Sequence, residues 1–229
     1  MEKYLKSALY GLFGLFLYFL LTKIEVLPFY LLNVNVETVP SWVKLIYLFF
    51  YEIMMVSVML LVYFKNFKRD FADMKKNHKK YYAKYFKYYL IAFGIMLISN
   101  LVIIILLNKD MAANETNVRE VFKISPLYIY FSAIIFAPIV EETVFRGCIK
   151  KIIPDKYLFI LVSGLIFGYI HISDSFTSAS DLLYLIPYSS LGMAFAYIYY
   201  KTNNIFTSIG LHFMHNGILL SLQFLTLFL

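Results

Sequence analysis

Seven long apolar runs set the frame for this chain. They are roughly Leu5–Thr22, Val43–Phe64, Tyr89–Leu107, Pro126–Val140 (continuing, more polar, to about Lys150), Tyr157–His171, Leu182–Tyr200 and Ile205–Leu227. A helix needs about 20 mostly apolar residues to cross the hydrocarbon core of a bilayer. Only 15% of the 229 residues are charged, against about 25% in a soluble domain, too few to clothe a water-soluble surface of this length. The sequence therefore predicts an all-α, multi-pass transmembrane bundle of about seven spans, forming a single integral membrane domain over 1–229. The first run resembles a signal peptide, with Lys3 and Lys6 ahead of its apolar core. No small-residue cleavage site precedes Lys23, so it reads as an uncleaved first span.

Basic residues orient the bundle. With the N-terminus in the cytoplasm and seven alternating spans, 16 Lys/Arg fall inside and five (Lys23, Lys44, Lys109, Arg119, Lys123) fall outside. That bias predicts N-terminus in and C-terminus out. The +7 net charge is accounted for by this asymmetry and does not call for nucleic acid. Residues 65–88 read as a cytoplasmic basic loop. Its lysines interleave with Tyr81, Tyr82, Tyr85, Phe86 and Tyr88, a pattern suited to the inner membrane face and equally to a solvated loop. Cys148 is the sole cysteine, which rules out an intramolecular disulfide. No histidine lies near it in sequence to make it a nucleophile.

Three polar motifs interrupt three of the last four runs: Glu141-Glu142-Thr-Val-Phe-Arg146, Phe167-Gly-Tyr-Ile-His171 and His212-Phe-Met-His-Asn216. An ionisable group at the bilayer centre costs at least about 2.5–3.5 kcal/mol. Three at one spot need a partner, a water-filled cavity or a function. Each motif places two members four residues apart, on one helix face. Glu142 and Arg146 so placed make an ion pair that lets both enter low dielectric. Glu141, about 100° around the helix, is the carboxylate left to face a cavity. Pro138 lacks an N–H and is expected to kink this helix toward that cavity. Measured from an inner boundary at Lys150, Lys156 and Asn204, Glu141, His212 and His171 lie roughly 14, 12 and 22 Å deep. His171 is thus too high for the other two unless its helix tilts or Tyr157–Phe159 lie in the interface.

Each residue alone has a structural reading. A lone membrane histidine packs and hydrogen-bonds, and a Glu–Arg pair can be structural glue. Glu52 is a lone acid without a matching motif, His215 a supporting neighbour and His78 a solvated side chain. The conjunction is what points to chemistry. A partly desolvated carboxylate can act as general base on water, histidine can hold that water or protonate a leaving amine, and a His–Asn pair can stabilise an oxyanion. Alternatively, two histidines and a glutamate with an open position form a zinc site, here Glu141, His171 and His212. His-Glu-x-x-His and Gly-x-Gly-Asp are absent, so the ordinary zinc-protease helix and the aspartyl intramembrane proteases fit poorly.

At these motifs the chain resembles the CAAX protease and bacteriocin-processing (ABI) family of intramembrane proteases, whose marks are Glu-Glu-x-x-x-Arg, Phe-x-x-x-His and His-x-x-x-Asn in that order. The resemblance covers roughly 126–220, the expected catalytic core. It implies Glu141 as the water-activating base with His171 as its partner, Glu142 and Arg146 as residues that order the site, and His212 and Asn216 as ligands of the water or oxyanion. No cofactor is then expected, with zinc as the alternative. The implied partner is a small membrane-associated peptide or protein entering from the cytoplasmic half of the bilayer. The setting is a bacterial plasma membrane, and the role is peptide maturation or bacteriocin self-immunity. Two other readings compete: a non-catalytic immunity or regulatory protein, and a proton-coupled transporter.

Overall fold

The computed structural model describes residues 1–107, 112–173 and 179–225. Lys109, counted above among the outer charges, and the end of the seventh run past Leu225 lie outside them. Among the described residues all regular structure is helical. Seven helices among the described residues are long and apolar enough to cross a membrane, as the sequence predicts. The spans are α1 (Glu2–Ile24), α2 (Ser41–Val62), α3 (Phe64–Leu107), α5 (Pro126–Ile152), α6 (Lys156–Ser173), α7 (Leu185–Thr202) and α8 (Ile205–Leu225). Between α3 and α5 lies a short helix, α4 (Ala113–Ile124), that the sequence reading missed. Its Glu115–Arg119 pair (2.9 Å) faces outward, and its Phe122 is fully buried against Ile129 and Leu220.

Residues 65–88 are not a loop. They continue the third span as one helix of 44 residues, about 66 Å long and twice the hydrocarbon thickness. No Gly or Pro occurs between Phe64 and Phe93, so nothing in the backbone breaks the helix before the apolar part begins. Two acids in this basic stretch fasten it to the α7–α8 turn. Asp70 Oδ2 accepts the Ile205 N–H (3.0 Å), capping α8 from another helix. The buried Asn204 amide donates to the Asp70 carbonyl (2.7 Å) and to Asp73 Oδ2 (2.8 Å). Asn203, at φ 49°, ends α7 in the left-handed conformation that Asn tolerates.

Small residues bring α6 and α7 into close contact. A Cβ on Gly192 would lie 3.0 Å from the Gly164 Cα and carbonyl, and one on Gly164 would lie 2.9 Å from the Met193 backbone nitrogen. With lipid as apolar as the side chains, such packing is what holds membrane helices together. Because the obstructing atoms are backbone, the helices themselves would have to part. Gly192→Ala is therefore expected to destabilise the bundle by about 1–3 kcal/mol, read as a lower midpoint in denaturant titration of the purified protein.

Candidate active site

The site is organised by α5, which is not a uniform α-helix. Phe131–Phe136 and Thr143–Cys148 are wound as π-helix on either side of Ala137–Glu142. Such wide turns shift which residues share a face and recur at functional sites. Pro138 accounts for how the first one is completed. The Ala137 N–H bonds the Ser132 carbonyl, five residues back. The next bond in that pattern would come from residue 138, and proline has no N–H to give. The Asn216 side chain supplies it, donating from Nδ2 to the Ala133 carbonyl at 2.7 Å. The expected kink is thus a π-turn, repaired by a residue from α8.

Glu142 and Arg146 form the expected ion pair, with Arg146 Nε 3.1 Å from Glu142 Oε2 and both side chains at 0% exposure. Glu142 Oε1 also accepts from His212 Nδ1 (3.0 Å), which fixes the tautomer and leaves Nε2 pointing onward. Arg146 donates to the Gly192 carbonyl (3.3 Å), and its guanidinium lies over the rings of Phe167 (4.4 Å) and Phe195 (5.6 Å). His212 stacks on Phe195 (centroids 5.3 Å) and meets Phe167 edge-on. Phe167 of the second motif is therefore a ring on which the arginine rests. Phe195 and Gly192 carry no polar signature, and the sequence reading did not find them.

Glu141 is the carboxylate left over. Its side chain is 21% exposed, and His212 Nε2 lies 4.0 Å from its Oε2. That gap is too wide for a hydrogen bond, yet a water could sit off-axis and touch both groups. Oε2 has no hydrogen-bond partner. Glu141 lines a cavity of about 240 Å³ between α1, α2 and α5, together with Thr22, Glu25, Glu52 and Tyr128. These residues lie toward the end of the bundle where α1 finishes and α5 begins. The expectation of entry from the Lys150 end is not what this cavity offers, since it extends the other way.

His171 is not joined to Glu141 by a hydrogen bond. Its Nδ1 lies 2.8 Å from the Phe167 carbonyl, and its ring stacks on Tyr188 (centroids 4.9 Å). Asn216 has one amide hydrogen committed to Ala133, and His215 meets Tyr89 OH at 3.3 Å. Among the described residues no three His, Cys, Asp or Glu side chains are grouped to hold a metal. Glu141, His171 and His212 do not fit zinc as arranged. Glu52, read as a lone acid, accepts from Tyr128 OH (3.0 Å) and Ser132 Oγ (2.7 Å) and lines the same cavity as Glu141.

The bundle and its buried acid–base cluster define a multi-pass membrane protein. Residues 123–218 match the family described as type II CAAX prenyl endopeptidase Rce1-like. It is 33% identical over 113 residues to YdiL of Bacillus subtilis, described as a candidate membrane peptidase, covering 48% of this chain and 43% of that protein. It is 22% identical over 130 residues to YvdC of Lactococcus lactis subsp. lactis, a UPF0177 protein, covering 56% and 48%. The chain thus spans about half the length of the curated relatives it matches. No solved structure matches it.

Proposed function

We propose that this protein is an intramembrane endopeptidase that hydrolyses a small membrane-associated peptide with water activated by Glu141. The observation that carries this reading is the pairing of one fully neutralised carboxylate with one left free. Glu142 has its charge taken up by Arg146 and holds His212, while Glu141 faces a cavity with an unbonded oxygen 4.0 Å from His212 Nε2. A water shared by Glu141 and His212 would lose its proton to Glu141 as it attacks the carbonyl, and Glu141 would pass that proton to the leaving amine. His212, held by Glu142 through Nδ1, steadies the water by accepting from it at Nε2. Asn216 joins it there once its hold on Ala133 is exchanged for substrate, and His171 closes on Glu141 by a shift of α6. Peptide maturation or bacteriocin self-immunity is the setting that the resemblance favours, in a bacterial plasma membrane with the N-terminus inside.

Hydrolysis has a direct signature. Incubating the protein in proteoliposomes with a processed peptide in ¹⁸O-water should place one heavy oxygen in the new C-terminal carboxylate, read by mass spectrometry. A biological effect exerted with no new peptide terminus would instead establish the non-catalytic partner and end the enzymatic reading. Activity lost in chelator and restored by zinc would replace the metal-free mechanism.

A further inference from the structure

The cavity that exposes Glu141 contains a second acid with no part in the catalytic cluster. Glu52 on α2 is only 8% exposed. Tyr128 and Ser132 of α5 both donate to its Oε1, while Oε2 is buried without a partner. Glu25, at the end of α1, lines the same cavity, and none of its described lining residues is Lys, Arg or His. A carboxylate fixed by two donors on one oxygen and bare on the other is a preorganised acceptor. Leaving a buried charge unpaired is costly, and a cation delivered from outside would remove that cost.

We propose that this cavity is a specificity subsite for a basic residue of the substrate, with its ammonium or guanidinium group seated on Glu52 and Glu25 reinforcing the field at the mouth. The assignment rests on Glu141 being the hydrolytic centre. Ser132 and Glu141 are nine residues apart, about 13 Å along the helix. At about 3.3 Å per residue of extended chain, and with the long basic side chain bridging part of the distance, the cation belongs about two to three residues from the scissile bond. The substrate class is then a membrane-associated peptide with a lysine or arginine at that spacing. Such a charge also suits a chain entering from a headgroup region, because it leaves water only to meet a waiting carboxylate.

The test uses the full chain in nanodiscs of zwitterionic lipid. Fluorescein-labelled amphipathic peptides differ only in lysine or norleucine walked through successive positions, with empty nanodiscs subtracted. At the best position the lysine peptide should bind about 10- to 100-fold tighter than its norleucine twin. Glu52→Gln should reduce that advantage to less than about threefold and leave norleucine-peptide binding unchanged. Equal binding of the two peptides at every position, or an equal loss for both in Glu52→Gln, would overturn the subsite. A second reading needs no variant: the lysine peptide, and not its twin, should slow modification of Glu52 by a hydrophobic carbodiimide. Both readouts are independent of hydrolysis. A lysine preference without cleavage would sink only the peptidase reading, and cleavage without the preference would sink only the subsite.

Discussion

Glu141→Gln is expected to leave the protein folded and to lower peptide hydrolysis by about 10²–10⁴-fold, the usual contribution of a general base. The two halves of this expectation have separate causes. The fold should survive because Glu141 Oε2 makes no hydrogen bond and the nearest cation-capable group is 4.0 Å away. Glutamine has the same shape, and losing a partly buried charge without a close partner removes a cost rather than a contact. Activity should fall because an amide cannot take a proton from water. The measurement is initial rate of product formation in proteoliposomes, with the thermal transition followed on the same preparation. Full activity in Glu141→Gln would remove this residue from the chemistry, and an unfolded variant would show that its role is structural.

Arg146→Met has the opposite profile. It should cost about 3–5 kcal/mol of stability, the range for removing one member of a buried ion pair. Arg146 and Glu142 are at 0% exposure, and the guanidinium also bonds the Gly192 carbonyl and sits between two rings. Without it, Glu142 is a carboxylate in an apolar interior whose remaining described partner is His212. The discriminating variant is the double replacement Glu142→Gln with Arg146→Met. It removes the stranded charge and should recover part of the loss, although both singles are destabilised. Stability is read as the denaturant midpoint. A double variant as unstable as the sum of the singles would mean that the two side chains act independently and that the ion pair is not what permits the burial.

The contrast between adjacent glutamates was partly legible in the sequence. An i,i+4 spacing selects Glu142 for Arg146, and the angle between consecutive helical residues turns Glu141 elsewhere. The spans were legible for the same kind of reason: the bilayer imposes a length and a composition that every crossing helix must meet. The basic stretch misled because positive charge reports which side of a membrane a segment occupies but not whether it is helical. Its Asp70 and Asp73 are ordinary surface acids until Asn204 and Ile205 are brought against them. His171 carried a visible warning in its depth, and its hydrogen bond goes to the Phe167 carbonyl instead of Glu141. Asn216 has the residue type an oxyanion site would use, yet its hydrogen bond here goes to a carbonyl that Pro138 leaves free across 83 residues of sequence.

The sequence by itself determined the class of fold, the seven crossings and the set of polar residues that lipid could not tolerate unpaired. Those follow from transfer energies and helical periodicity, which act locally and so can be read along the chain. The tertiary structure alone decided what the histidines touch and that Glu52 shares a cavity with Glu141. Those outcomes depend on helix rotation and on the two π-turns of α5. A change of one residue in register turns a side chain by about 100°, enough to exchange a buried partner for an open cavity.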